Sequence, residues 1–581
     1  METKWAAPTT RPVIRGTRYM VSAGHYSAAL AAARILDAGG NAVDAGVTAG
    51  ICLNVVQPDL TNLGGVAPIL IHSADTSRVT TLSGLGAWPA NASIEYFLRN
   101  HGGRIPPGIM RTVVPAAIGA WLTALERYGT KTFAEVAAPA IELARTGFPV
   151  TTVMRDSLSE PVALDAIRQW PSTARVYLDA NGDPHAVGTV QKQEDTARFL
   201  ERLAAAGAGA PTRKDGIRAA YDLFYRGEIA HQIAEFARSL GGWMTVEDLA
   251  SFEVEEQDAV AVDYRGYEIY GCGPWCQGPV VLQAMNILEG YDFSRIQHGS
   301  AEYYHLIVEA LKAAFADRDR YYGDPRFVDV PLDGLLSRQY AATWRERITE
   351  GAAAAGMPVP GDPWQFDPAT DPGSTWTFPQ PEPGRDESDT SYVCVIDQDG
   401  NAFSATPSDG VVGAPVVEGL GIIMSGRGAQ SWLDLKHPAA LAPGKRPRLT
   451  PNPGLVRRGE DFLMPYGTPG LDVQPQAMVQ FLVGLLDYGF DVQDAIERPR
   501  VATYSYPGSS DPHPYRPDLL KVEGRIPAEV IARLTEFGHT VEMWPEWSGV
   551  AGSVSAAVRN GATGALAGAA DPRRVAYAIG W

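Results

Sequence analysis

The chain has 581 residues, 45% hydrophobic and 20% charged, an ordinary globular composition long enough to bury a large core unaided. A formal charge of −18 and a pI near 5.1 remove the basic footprint that nucleic acid or anionic lipid would need, so neither is expected as a partner. Cys52, Cys272, Cys276 and Cys394 are too few for a disulfide scaffold, and no second pair or His cluster completes a metal site around Cys272 and Cys276, so no metal and no cofactor are expected.

The N-terminal stretch METKWAAPTTRPVIRGTRYM lacks an apolar core of signal-peptide length, and the longest low-charge run, 43–56, carries Asp44 and is too short to cross a bilayer. A cytoplasmic protein is the expectation. In chain order, 27–37 (SAALAAARILD) reads as a helix halted by Gly39-Gly40, and Asn41 is placed to cap a second helix over 42–55 that ends before Pro58. The glycine loop 61–68 (TNLGGVAP) leads into an apolar strand at 69–71. It carries neither G-x-G-x-x-G nor a P-loop Lys, so it reads as a tight turn with close backbone packing.

Further along, 283–288 belongs to a helix after the Cys276-Gln277-Gly278-Pro279 turn, and 301–322 carries apolar residues at helical spacing. Residues 351–389 are rich in Pro, Gly, Asp and Ala without periodicity. They read as an extended, loosely packed segment, either a linker or a tail flexible enough to be severed. A β signal follows: 391–397 (SYVCVID), a turn at Gln398-Asp399-Gly400-Asn401, and a returning strand at 402–406 (AFSAT). A regular hairpin about that turn sets Thr390 opposite Ser408 or Asp409.

An ordered series of motifs runs through the chain: Gly39 to Ala45 (GGNAVDA), Gly147 to Val150 (GFPV), Gly242 to Phe252 (GWMTVEDLASF), Ala314 to Tyr321 (AFADRDRY after Ala313), Gly323 to Val330 (GDPRFVDV), Pro443 to Pro447 (PGKRP) and Ala570 to Arg573 (ADPR). In this order they resemble the γ-glutamyltranspeptidase family. The resemblance implies an α+β fold, a four-layer αββα N-terminal-nucleophile hydrolase sandwich, formed by large (1–389) and small (390–581) subunits cut from one precursor. The family's T-x-x-x-S-V-V-D pattern falls on Thr390 to Asp397, which makes Asp389-Thr390 the autocleavage pair and Thr390 the nucleophile. The chemistry has a reason for this. A threonine hydroxyl needs a base, and an α-amino group freed by the cut, with a pKa of about 7.7–8, supplies one near neutral pH. The resemblance further aligns Ser408 with the Thr that supports the nucleophile. It also aligns Thr468-Pro469-Gly470-Leu471 with the S-P-G-G oxyanion loop, where backbone N–H groups do the work, so Gly470 and Leu471 are catalytic candidates.

Two departures from the family bear on substrate. Leu85 stands where the family's carboxylate-binding Arg would be, and Ser425 to Gln430 (SGRGAQ) lacks the acidic residues that read the glutamyl amine. Arg427 instead resembles the N-R-G of a divergent branch that includes oxamate amidohydrolases and cephalosporin-acylase-like proteins. A guanidinium beside Thr390 suits a short carboxylate, and Asp409 and Thr450 complete the substrate-binding candidates. Arg446 and Arg448 are further candidates for the contact to that carboxylate, the alternative being that they fix the loop that carries Thr450. The expected activity is hydrolysis of a short, anionic small-molecule amide or acyl substrate. A carbon–carbon hydrolase releasing an oxalyl unit, a true γ-glutamyl hydrolase or transferase, and an uncut binding protein remain as alternatives, and a homodimer of paired subunits stays open.

Overall fold

A computed structural model of the protein describes residues 9–373, 376–384 and 389–581. Residues 1–8 of the N-terminal stretch, and 374–375 and 385–388 of the 351–389 segment, lie outside the described residues.

Two fully antiparallel seven-stranded sheets face one another. The first runs in the order Tyr577–Gly580, Met20–Ala23, Val393–Ile396, Ala402–Ala405, Ile69–His72, Val79–Leu82, Glu256–Asp258. The second runs Ile14–Gly16, Leu566–Ala570, Ser555–Asn560, Phe462–Gly467, Gly454–Arg458, Tyr267–Gly271, Val260–Tyr264. Each sheet takes strands from both sides of residue 390. The two lengths of chain are therefore interleaved, and Val393–Ile396 is hydrogen-bonded between Met20–Ala23 on one side and Ala402–Ala405 on the other.

Period-two alternation builds the layers. Val393, Val395, Phe403 and Ala405 point into the apolar layer under the helices Tyr26–Asp37 and Ala42–Val56. Tyr392, Cys394 and Ile396 point the other way, into the layer between the sheets, where Cys272, Cys276 and Trp275 also lie. Both faces of these strands are buried, so they read as apolar runs rather than as an alternating stripe. The helices Gly278–Leu288, Ala301–Tyr321 and Val473–Leu486 cover the far face of the second sheet and complete an αββα sandwich. Among the described residues no helix is long and apolar enough to cross a membrane.

Local signals account for the element ends. Asn41 Oδ1 accepts from the N–H groups of Val43 and Asp44, and Asp44 answers by accepting from Asn41 N, a reciprocal cap for Ala42–Val56. Ser300 caps Ala301–Tyr321. The helices Ala117–Tyr128, Phe133–Thr146 and Glu194–Ala206, which enlarge the layer over the first sheet, are additions to the sequence reading. The described part of 351–389 holds one 3₁₀ turn, Pro363–Phe366, and is otherwise irregular. Its first half is nevertheless tied to the body, as Met357 N donates to Tyr515 Oη at 2.9 Å and Gly361 N to Asp317 Oδ1 at 3.2 Å, so loose packing does not extend over the whole segment.

Asp397 locks the hairpin that carries Thr390. Its carboxylate accepts from Asp399 N at 3.0 Å, from Asn401 N and Nδ2 at 2.9 Å each, and from Ala42 N at 2.9 Å, joining the turn to the start of a buried helix. Replacing Asp397 by Ala strands these donors and is expected to cost about 2–3 kcal/mol, read as a lowered urea midpoint; an unchanged midpoint contradicts the role given to this carboxylate.

Candidate active site

The hairpin pairs Val393 with Ala405 and Ile396 with Ala402, and Ser391 N donates to Pro407 O at 2.9 Å. Continued by one step, that register sets Thr390 against Ser408. The two hydroxyl oxygens are hydrogen-bonded at 2.7 Å, and both residues are fully buried. Thr390 N donates to Leu60 O at 2.9 Å. The partner strand is held by the glycine loop: Ser408 N donates to Val66 O at 2.9 Å, and a Cβ on Gly65 would sit 2.2 Å from Ser408 O. Close backbone approach is thus the physical use of Gly64-Gly65, with no phosphate site implied.

Thr390 has φ 104°, Asp409 has φ 84° and Leu471 has φ 48°, so three of the residues singled out from the sequence sit in the left-handed region that side chains avoid. For a β-branched Thr this conformation is strained, and such strain gathers at functional sites.

Around the hydroxyl pair lies a knot of charge. Arg427 Nη2 donates to Asp389 Oδ1 at 2.8 Å and Oδ2 at 2.7 Å, and also contacts Ser408 Oγ. Ser408 Oγ reaches Asp389 Oδ1 at 3.1 Å, and Thr390 Oγ1 reaches the same oxygen at 3.3 Å. On its other edge Arg427 Nε lies 3.0 Å from Asp409 Oδ1, while Ser425 Oγ donates to Asp409 Oδ2 at 2.5 Å. Burial pushes the Asp409 carboxyl above the ordinary carboxylate range, the Arg427 guanidinium opposes the rise and the Asp389 carboxylate adds to it.

Two cations here were not found from the sequence. Arg111 is buried, its guanidinium lies against Gly413 and Gly426, and its charge acts on Asp409. Arg574 is half-buried and brings Nη1 to 3.5 Å from Thr390 O. Its one signal is adjacency to Arg573, which is fixed by Glu523 and Asp571. For Arg111 the sequence carries no signal, because a single Arg at the start of an apolar run has no partner in view.

Strand Phe462–Gly467 runs out through Thr468 to Gly470 and Leu471, both at positive φ, just ahead of the helix Val473–Leu486. Amide N–H groups at such a turn and the positive end of a helix suit a developing oxyanion. Gln277 braces this loop, donating from Nε2 to Leu471 O and to Thr450 O at 2.8 Å each, while Arg318 Nη1 donates to Gln277 Oε1 at 3.0 Å. Thr450 is engaged by Gln430, whose Nε2 donates to Thr450 Oγ1 at 2.8 Å. Its hydroxyl therefore meets the end of the Arg427–Gln430 turn rather than the Asp389 carboxylate.

Leu85 stands apart from this network. It is buried in the inter-sheet layer and lines a cavity of about 510 Å³ with Trp88, Glu255, Arg326 and Arg446. Arg446 pairs with Asp324 at 2.9 Å and Glu255 at 2.8 Å, and Arg448 donates to Arg318 O at 3.0 Å beneath Trp432, so both act on the frame of the loop. Trp432 is stacked between His437 and His513, and Tyr466 belongs to the core.

Cys272 and Cys276 are packed as core thiols, and burial raises the Cys272 pKa. Among the described residues one set of metal-type ligands appears that the sequence did not single out: His305, Glu309 and His539, all buried. Several of its polar atoms already have partners. His305 Nδ1 lies 3.2 Å from His539 Nε2, His305 Nε2 lies 2.9 Å from Thr349 O, and the Lys312 ammonium is 3.0 Å from Glu309. That ammonium already neutralises the carboxylate a cation would use.

Comparison with known proteins agrees with this frame. A family model described as Gamma-glutamyltranspeptidase matches residues 28–581. The glutathione hydrolase-like YwrD proenzyme of Bacillus subtilis is 35% identical over 97% of this chain and 99% of its own length. The oxamate amidohydrolase proenzyme of Klebsiella pneumoniae is 30% identical over 97% of this chain and 99% of its own. The solved structure of cephalosporin acylase from Bacillus halodurans superposes with a TM-score of 0.84 at 29% identity, over 100% of this chain and 99% of that one. Built on the interleaved αββα sandwich and matched over nearly its whole length, the chain is an enzyme of the γ-glutamyltranspeptidase family of N-terminal-nucleophile hydrolases.

Proposed function

We propose that this enzyme cuts its own chain between Asp389 and Thr390 and then uses Thr390 to hydrolyse short, carboxylate-bearing amides. The observation that carries the reading is the Thr390–Ser408 hydroxyl pair at 2.7 Å beside a carboxylate held on Arg427.

In the uncut chain Thr390 Oγ attacks the Asp389 carbonyl carbon. The C–N bond breaks, an Asp389 ester forms on Oγ, and the nitrogen becomes a free α-amino group. The hydroxyl proton passes by way of Ser408 Oγ and Asp389 Oδ1, contacts of 2.7 and 3.1 Å, and ends on the departing Thr390 nitrogen. Strain at Thr390 favours the step, since the cut releases the backbone conformation that stores it. Water then hydrolyses the ester and frees the Asp389 main-chain carboxylate.

In the cut enzyme the Thr390 α-amino group takes the Oγ proton as the oxygen attacks the substrate carbonyl. Gly470 and Leu471 N–H groups stabilise the oxyanion, Arg427 holds the substrate carboxylate, and the proton passes to the leaving nitrogen. Water resolves the acyl-enzyme by the reverse path. The absence of an Arg at position 85 favours a shorter acid than γ-glutamate, and the oxamate amidohydrolase relative supports the same reading.

Thr390→Ala is expected to give a single band on a denaturing gel and no amidase turnover. Ser408→Ala is expected to slow both cutting and turnover by roughly 10²-fold, the scale of losing one transition-state hydrogen bond, with Ser408→Thr restoring most of it. A Thr390→Ala protein that is cut and active refutes the assignment. Because the base must be neutral, kcat/KM should rise with pH through an apparent pKa of about 7.7–8. A profile flat down to about pH 6 contradicts an α-amino base.

A further inference from the structure

The carboxylate seated on Arg427 is the chain's own. Asp389 Oδ1 and Oδ2 lie 2.8 and 2.7 Å from Nη2, and Oδ1 also faces the Ser408 hydroxyl at 3.1 Å. The guanidinium side chain is 5% exposed and the carboxylate 18%, so the pair meets in a largely dry, preorganised cradle one residue from the attacking hydroxyl. Positive charge from Arg111 and Arg427 is set against Asp409 and Asp389. Asp409 lies inside the returning limb of the hairpin and stays there. Asp389 becomes a chain end once the bond to Thr390 is cut, so its seat on Arg427 is the one that can be vacated and refilled.

The geometry of Asp389 then acts as a ruler. Its carboxylate carbon is separated from its main-chain carbonyl carbon by Cα and Cβ alone. The ester formed on Thr390 Oγ during cutting is therefore, bond for bond, an acyl-enzyme of a four-carbon dicarboxylic acid whose free carboxylate rests on Arg427. We infer that the mature site is built for acyl groups with their carboxylate two carbons from the scissile carbonyl. These are half-amides of the succinate type, including aspartyl amides, and Asp389 is the enzyme's first substrate.

An oxalyl group has no intervening carbon and a malonyl group one, so the carboxylate falls short of Arg427 when the carbonyl is at Thr390. Glutaryl and γ-glutamyl groups have three and overshoot it. Charge-assisted hydrogen bonds are short and directional, so a displacement of this size discriminates between the acids. The step balances as ordinary amide hydrolysis. The Oγ–carbonyl bond forms, the C–N bond breaks, the leaving amine takes the proton carried by the Thr390 α-amino group, and water restores the free hydroxyl and releases the diacid.

This inference rests on Thr390 being the nucleophile, and its test separates the two claims. The p-nitroanilide half-amides of oxalic, malonic, succinic and glutaric acid, with γ-glutamyl p-nitroanilide, are compared on the full-length wild-type protein after confirming the cut. The succinyl compound is expected to have the highest kcat/KM, about 10-fold or more above its malonyl and glutaryl neighbours. Arg427→Gln should flatten that preference mainly through KM, and Arg427→Lys should keep part of it. Should an Arg427 variant remain uncut, the chain-length series on the wild type decides alone. A maximum at any other length, or no turnover of any of them by cut protein, overturns the ruler while leaving the cut at Thr390 standing. An uncut, inactive protein overturns both claims.

Discussion

The antiparallel register of one hairpin is the constraint on which the site depends. Val393–Ile396 is paired on both edges, so its alignment with Ala402–Ala405 cannot slip without turning the apolar residues of one face into the layer that belongs to the other. Fixed in this way, the strand end delivers Thr390 to Ser408, and the chain continuing past Ser408 delivers Asp409 to Arg427. Asp397 at the turn and Gly65 against Ser408 hold the two ends of the same register. A site built this way is positioned by sheet pairing rather than by loops, which suits chemistry that requires an oxygen held close to a carbonyl.

Interleaving serves the same end. Both sheets draw strands from before and after residue 390, so a chain cut there remains paired through several strands. A cut at the proposed position, between Asp389 and Thr390, would then leave Thr390 held by the sheets. Burial of the hydroxyl pair and occupation of Arg427 by Asp389 describe a closed site in the uncut chain. The same contacts that keep it closed place a carbonyl next to the hydroxyl that would attack it.

The sequence disclosed some of this architecture and missed other parts for physical reasons. The capped helix Ala42–Val56, the helix Ala301–Tyr321 and the hairpin after residue 390 were legible because periodicity, caps and an Asp-Gly turn are local signals. Counting residues about that turn set Thr390 opposite Ser408 or Asp409, and the register of the hairpin selects Ser408. Arg427 was legible through resemblance, but its seat between two carboxylates was not, since Asp389 is 38 residues away in sequence. Arg111 and Arg574 were missed because their roles exist only once distant segments meet. Gln277 was quoted only as part of a turn, yet it braces both Thr450 and Leu471. Thr450 and Leu85 were grouped with the pocket, whereas the fold gives the first to Gln430 and the second to the inter-sheet core and a neighbouring cavity. The anchoring of the first half of 351–389 was hidden as well, because irregular composition says nothing about which side-chain carboxylates and hydroxyls wait to receive its amides.

The most direct test of the account is N-terminal sequencing of the smaller fragment from purified protein. The account predicts one start, Thr-Ser-Tyr-Val-Cys, with Thr390 first and carrying a free amine. A fragment beginning at any other residue, or a protein that remains one intact chain, would contradict it.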